Sequence, residues 1–256
     1  MKRVTAFVGS ARKKSTYNAV CQFVDNLKSL GEVEYEIVTL SDHRLGTCRG
    51  CQVCFEKGEE CCPLKDERDV LIEKIMASDG VVFASPNYSF QVSAIMKIFL
   101  DRLGFVFHRP RFFGKTFTSI VAQGILGGKK IVKYLDFVGN GLGFNTVKGS
   151  CFTALEPMTK KEKQKIDRAL VRQSRWFYEG LVKSAYPVPS LFKLWAFRYA
   201  RTSIRLLLDD RSRDYRYYKD KGWFEADYYY PTHLGVLKKA AGSLFDSIAS
   251  RTTRNR

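Results

Sequence analysis

Five of the chain's seven cysteines fall between residues 48 and 62. Cys48, Cys51 and Cys54 follow a C-x2-C-x2-C spacing, and the next thiols are Cys61 and Cys62. Thiolates packed this closely suit an iron–sulfur cluster, where each iron takes a soft ligand from the protein. Zinc more often uses two separated pairs, or a pair with histidines, and His43 lies outside the usual pair spacing. A thiol-rich turn without metal is a third reading, because cysteine often serves as a small buried apolar residue. Disulfides are a fourth, opposed by the reduced thiols of the cytoplasm, where this chain is expected. Cys21 and Cys151 fall in a helical and a strand pattern and read as core residues.

A second chemical signal is "GSARKKST", Gly9 to Thr16, between an apolar β-type run and a helical pattern. It offers hydroxyls at Ser10, Ser15 and Thr16, a guanidinium at Arg12, and backbone N–H groups at a helix start. A phosphate monoester is bound by such a set, helped by the positive end of the helix dipole. The Walker A and G-x-G-x-x-G patterns are absent, so a single terminal phosphate fits better than a triphosphate or dinucleotide. The plainer alternative is that Ser15 only caps the helix.

These residues need a frame. Strands are expected at Arg3–Gly9, Val33–Leu40, Gly80–Ser85, Thr116–Gly124 and Asn145–Ala154. Helices are expected at 16–30, 67–78, 92–103, 128–138 and 159–182, with Asp66 capping the second, and Thr159 and Glu162 forming a capping box on the fifth. In the first, Tyr17, Val20, Val24 and Leu27 share a face; in the third, Ile95, Phe99 and Leu103 are expected in the core. Strand–helix alternation predicts a doubly wound five-stranded parallel sheet covered on both faces, with ligands at the carboxyl ends of its strands. Two further loops then stand beside the first. "SPNYSFQVSAIMK" carries Pro86, Asn87, Tyr88 and Ser89, with Tyr88 as a stacking face for a planar ring. "AQGILGG" carries Gln123, Gly124 and Gly127, with an amide for a ring edge and glycines for close approach.

Residues 186–256 break the alternation and read as a C-terminal helical and aromatic extension, packing on the core or on a partner subunit. Its Leu191–Leu208 stretch is apolar with interspersed arginine; a membrane-surface helix is the weaker alternative. The chain carries 43 Lys and Arg against 26 Asp and Glu, a net charge of +17, with +12 of it beyond residue 158. That balance reads first as a soluble surface, with a docking site for an acidic partner as the alternative; nucleic acid and membrane are not expected as partners. No run is long and apolar enough for a membrane span.

The three loops resemble a known family. "GSARKKST" is similar to the phosphate loop of NADPH-dependent FMN reductases, and "DGVVFASPNYSFQVSAIMKIFLDR" to their isoalloxazine loop and following helix. "CRGCQVCF…CPLKDE" resembles the cysteine segment of iron–sulfur flavoproteins in the same flavodoxin-like superfamily. The resemblance covers about residues 1–185 and departs at Ala11, where the family usually has proline. It implies a flavodoxin-like FMN-binding domain and a homodimer or tetramer. Ser10, Arg12, Ser15, Thr16 and Tyr17 would hold the phosphate. Pro86, Asn87, Tyr88 and Ser89 would line the ring, and Gln123, Gly124 and Gly127 would close the other side. Cys48, Cys51, Cys54 and Cys62 would be the ligands of a 4Fe-4S cluster, Cys62 being chosen because Asp66 and Glu67 follow it as an acid pair follows the family's fourth cysteine.

The implied function is an FMN-dependent NAD(P)H oxidoreductase of the flavin or quinone reductase type. Its electrons would come from a nicotinamide cofactor or a redox protein and pass to a small-molecule acceptor, with the cluster as a relay if present. The alternative is an electron-transfer or flavin-dependent regulatory module without turnover. Arg109 and Arg111 are candidates for the NADPH phosphate on charge alone, and His108 for the site or a partner contact.

Overall fold

The computed structural model describes residues 1–183 and 186–255. The predicted domain boundary at residue 185 and the last residue lie outside them. Strands are β1 (Lys2–Val8), β2 (Val33–Thr39), β3 (Gly80–Pro86), β4 (Thr116–Gln123), β5 (Asn145–Thr146) and β6 (Ser150–Thr153). Helices are α1 (Ser15–Lys28), α2 (Val53–Glu56), α3 (Arg68–Met76), α4 (Ala94–Arg102), α5 (Gly104–His108), α6 (Gly128–Gly141), α7 (Lys160–Val182), α8 (Leu191–Leu207), α9 (Arg213–Asp220) and α10 (Val236–Arg254). Two compact units result. The first holds Met1–Cys48, Leu64–Gly104 and Pro110–Ala185; the second holds Arg49–Pro63, Phe105–Arg109 and Tyr186–Arg256.

The first unit is the doubly wound sheet. All pairings are parallel, in the order β2-β1-β3-β4-β5, with β6 also on β4. The strand expected over 145–154 is therefore broken: β5 pairs near the start of β4 and β6 near its end, with Val147–Gly149 between them. Because successive side chains alternate across a strand, Val4, Ala6 and Val8 face one layer and Phe7 the other. On the first face Val20, Phe23, Val24 and Leu27 of α1 and Leu170, Phe177 and Leu181 of α7 form one buried cluster. On the second, Phe7 stacks on Phe99 at 5.2 Å, and Phe83 meets Phe117 at 5.0 Å.

Local capping decides where two helices begin. Ser93 caps α4, its Oγ accepting the Met96 N–H, and the register this sets buries Met96, Phe99, Leu100 and Leu103 while Ile95 is only half-buried. The capping box of Thr159 and Glu162 forms at α7 as expected. Asp66 does not act as expected at α3, whose cap position is Glu67. The reason is electrostatic. The Asp66 carboxylate accepts from Arg102 Nη2 (2.9 Å) and Nε (3.1 Å), from Gly46 N (2.9 Å) and from Arg68 N (3.3 Å). Its side chain is 9% exposed and that of Arg102 is 4%. Burial alone would raise the Asp66 pKa, but Arg102 and the two backbone N–H groups outweigh it and hold the carboxyl below its ordinary value.

In the second unit α8 and α10 pack together, and α9 lies between them in sequence. Aromatic residues fill it: Phe197 meets Tyr229 at 4.5 Å, and Tyr218 meets Trp223 at 4.9 Å. Burial pushes the Tyr218 hydroxyl up to about 12.

The buried pair gives a pH test. A carboxyl whose folded pKa is lowered stabilises the fold fully above the carboxylate range, and the contribution is lost as pH falls through that lowered value. Asp66→Asn leaves Arg102 buried without its counter-charge, so the variant is expected to lose about 3 kcal/mol at pH 7. The gap between variant and parent should shrink below about pH 4. Urea unfolding at pH 7 and at acid pH measures both; a gap that does not change with pH contradicts the pairing.

Candidate functional site

At the carboxyl ends of β1 and β3 the strand order reverses, and such a switch point leaves a crevice between adjoining loops. The loop after β1 is tied down from below. Gly9 N donates to Ala84 O at 2.8 Å, and Gly9 O accepts from Ser93 Oγ at 2.5 Å. A Cβ at Gly9 would lie 2.7 Å from Met96 Cβ, so only glycine lets the loop sit this close to α4. Ser10 is buried and its Oγ donates to Arg12 O at 3.1 Å, which curls the loop. Helix α1 opens without any side-chain cap, so Ser15 is not the cap of the plainer reading, and its first N–H groups are left for another acceptor. Thr16 is buried and Tyr17 half-buried, with Lys13 Nζ 5.6 Å from the Tyr17 ring. Arg12 is exposed, and its Nη2 donates to Tyr88 Oη at 3.3 Å, bringing the first two loops together.

The loop after β3 is a tight hairpin. Tyr88 and Gln91 exchange backbone hydrogen bonds at 3.0 Å, with Ser89 and Phe90 between them at φ 49° and 63°. Two successive left-handed residues make a turn of the type that closes two-residue hairpins. Its effect is to push Tyr88 (47% exposed) and Phe90 (67%) outward. Pro86 is buried at the strand end. Asn87 N donates to Ala122 O at 2.7 Å, and Asn87 Nδ2 to Leu126 O at 2.8 Å, which joins this loop to the one after β4. The other end of that amide, Asn87 Oδ1, is buried with no hydrogen-bond donor among the described residues.

In the loop after β4 the Gln123 amide is used internally. Its Oε1 accepts from Gly128 N (2.7 Å), and its Nε2 donates to Ile125 O (3.1 Å) and Thr153 Oγ1 (3.2 Å). Gln123 therefore braces the loop, whereas the sequence reading gave its amide to a ring edge. Gly124 is exposed; Gly127 has φ 94°, and a Cβ there would stand 2.7 Å from the Phe90 ring. Ile125 (75%) and Leu126 (59%) stand exposed beside it. Sequence reasoning missed Phe90, Ile125 and Leu126 because exposed apolar residues in a loop carry no periodic signal. It also missed Ser85 and Ser93, whose hydroxyls lie beneath the loops.

The cysteine segment is a different case. Cys48 ends the first unit, while Cys51, Cys54, Cys61 and Cys62 belong to the second. Cys48, Cys51 and Cys61 are exposed, and Cys54 and Cys62 half-buried. The donor types suit a cluster, but among the described residues no three His, Cys, Asp or Glu side chains converge as metal ligands. No electron step is assigned to these thiols. His43 is occupied by Glu67 Oε1, 3.3 Å from its Nδ1.

Arg109 is no phosphate ligand either. It is fully buried in the second unit, where it binds the Asp214 carboxylate, Glu59 Oε2 (2.9 Å) and Cys54 O (2.8 Å). His108 stacks on Phe55 at 4.2 Å with Nδ1 2.7 Å from Asp214 Oδ2. Burial and the Arg109 charge hold its pKa below the ordinary imidazole value.

Residues 2–156 match the model of the family described as NADPH-dependent FMN reductase. The chain belongs to that family. It is an NAD(P)H-dependent, FMN-containing oxidoreductase with a flavodoxin-like fold. An iron-sulfur flavoprotein of Archaeoglobus fulgidus is 32% identical over 160 residues, covering 57% of this chain and 70% of that one. Another, from Methanocaldococcus jannaschii, is 32% identical over 100 residues, 39% of this chain and 51% of that one. The structure of RosB with bound 8-demethyl-8-formylriboflavin-5'-phosphate shares the fold at a TM-score of 0.56 and 12% identity, over 92% of both chains.

Two substitutions test the loop geometry. Arg12→Ala should weaken FMN binding at least tenfold while leaving riboflavin binding unchanged, because only FMN carries the charge; fluorescence titration with both separates the cases. Ser93→Ala removes the α4 cap and strands Gly9 O, and should cost about 2 kcal/mol of stability together with weaker FMN binding.

Proposed function

We propose that the enzyme passes electrons from NAD(P)H through FMN to a small, flat, apolar acceptor of the quinone or flavin class. The observation that carries this reading is the exposed apolar rim of Tyr88, Phe90, Ile125 and Leu126, set around an asparagine with a buried, undonated carbonyl. A soluble protein leaves such a cluster open where a planar molecule is to cover it.

The residues present fit FMN. Arg12, Ser10, Ser15, Thr16 and the uncapped N–H groups of α1 supply cation, hydroxyl and amide donors for one phosphate. Asn87 Oδ1 supplies the acceptor that an imide N–H of the ring requires, and its orientation is locked because Nδ2 is held by Leu126 O. Pro86, Ser89 and Gly127 shape the backbone so that Tyr88 and Phe90 present ring faces and edges; Tyr17 stiffens the foot of the phosphate loop. When bound, FMN supplies hydride acceptance and one- or two-electron release, which no side chain here performs. The protein's share is to bind, orient and exclude water: Ile125, Leu126 and Phe90 reduce the hydration of whatever lies against them. No side chain of these three loops is assigned as general acid or base.

The test is steady-state NAD(P)H oxidation with a naphthoquinone. FMN-loaded protein should turn over, and Phe90→Ala and Leu126→Ala should each raise the KM for the quinone several-fold with the KM for NADPH changed less. Absence of turnover with quinones and free flavins, in protein that has taken up FMN, overturns the acceptor assignment.

A further inference from the structure

The carboxyl rim of the sheet has a fourth loop, 154–159, which carries none of the flavin contacts assigned above. It follows β6 and is braced from the side: Ala154 N donates to Gln123 O at 2.9 Å, and Thr153 Oγ1 accepts from Gln123 Nε2. Between this loop, the first turns of α1 and the start of α7 lies an open cleft of about 270 Å³. Ser15 borders it, so the cleft adjoins the loop after β1.

Its floor is apolar. Ala19, Phe152, Ala154 and Ile166 line it, and all four belong to or pack on the buried cluster that α1 and α7 share. Its walls are polar, and they divide into engaged and unengaged groups. Gln22 Nε2 donates to Asp167 Oδ1 at 2.8 Å, which ties α1 to α7. Glu156 Oε2 accepts from Met158 N at 3.1 Å. The Asn18 amide and the Lys163 ammonium are both exposed, and neither has a hydrogen-bond or ion-pair partner among the described residues.

Size decides how much of a ligand fits. Drug-sized ligands take about 300–1,000 Å³, so this cleft holds one moiety, a base with its sugar, and not a whole dinucleotide. The chemistry narrows the moiety. An apolar floor suits the face of a heterocycle. A side-chain amide presents a donor and an acceptor together, the pair that matches the amino and ring-nitrogen edge of adenine. Lys163 brings an unpaired cation to the mouth, with Lys160, Lys161 and Lys165 exposed on the same turns of α7. A phosphate is the group that such a cation holds. Base, sugar and phosphate together describe the adenosine end of the enzyme's own electron donor. The cleft and the three flavin loops lie at the carboxyl rim of one sheet, where α/β folds hold an extended dinucleotide along several loops.

We propose that this cleft binds the adenosine end of NAD(P)H, with Asn18 reading the adenine edge and Lys163 holding a phosphate of the adenosine. This rests on the nicotinamide donor and does not depend on the acceptor assigned above.

Calorimetric titration of the FMN-loaded full chain with adenosine 2',5'-bisphosphate tests it, since that probe carries base, sugar and phosphate but no nicotinamide. The parent should bind it. Asn18→Ala and Lys163→Ala should each weaken binding about tenfold. Arg172→Ala removes the same charge further along α7, outside the cleft, and should not. Flavin absorbance and circular dichroism show that each variant is folded and loaded; if one substitution fails that check, the other carries the test. In turnover, Lys163→Ala should raise the KM for NADPH and leave that for the quinone unchanged. No binding by the parent at about 1 mM, the upper end of ordinary KM values, overturns the proposal, as does binding that survives both substitutions. Binding by the flavin-free chain that FMN loading abolishes would assign the cleft to FMN and overturn it as well. The titration needs no acceptor, so a failure of quinone turnover leaves its result standing.

Discussion

The candidate flavin site depends on one buried serine. Ser93 Oγ donates to Gly9 O and accepts from Met96 N, while Ser93 N donates to Ser85 Oγ at 3.0 Å. These bonds join the end of β1, the end of β3 and the start of α4 in a region closed to water. Ser85 Oγ in turn donates to Pro86 O at 2.9 Å, and an unmet donor or acceptor in this knot would cost about 1–3 kcal/mol. The loop after β1 is consequently placed by the α4 cap, although it belongs to a different βα unit.

From this knot the order of the site follows. The parallel sheet puts the β1, β3 and β4 loops side by side because β1 and β3 pair at the switch point and β4 pairs with β3. Arg12 bridges the first loop to Tyr88, and Asn87 bridges the second to Leu126. The left-handed pair Ser89 and Phe90 costs of order 1–3 kcal/mol per strained residue. That cost is met by the rigid strand ends beneath, and the result is two aromatic rings held outward.

Much of this frame was legible in the sequence because it rests on local signals. β-branched runs, helical spacing and the Thr159–Glu162 box depend on residues within a few positions of one another, and they located the strands and helices to within a few residues. The same local reasoning failed where a distant partner decides. Asp66 looks like a helix cap until Arg102, 36 positions on, is seen to claim it. Gln123 looks available until Gly128 N, Ile125 O and Thr153 Oγ1 take up its amide. The fifth strand looks continuous, but its two halves pair with opposite ends of β4.

Arg109 shows the limit most sharply. In "FHRPRFFGK" it sits among exposed-looking cations, and charge alone makes it an anion ligand. Its actual partners, Glu59 and Asp214, are 50 and 105 positions away. A buried guanidinium needs acceptors for its N–H groups and carboxylates for its charge; here Asp214, Glu59 and the Cys54 carbonyl accept from its two terminal nitrogens. The arrangement also bears on His108, whose Nδ1 lies 2.7 Å from Asp214 Oδ2. Burial first, and then the nearby guanidinium, hold its pKa below the ordinary imidazole value. A cation whose sequence context suggests ligand binding is thereby the centre of a closed charge balance, and the segments 49–63, 105–109 and 213–220 are ordered around it.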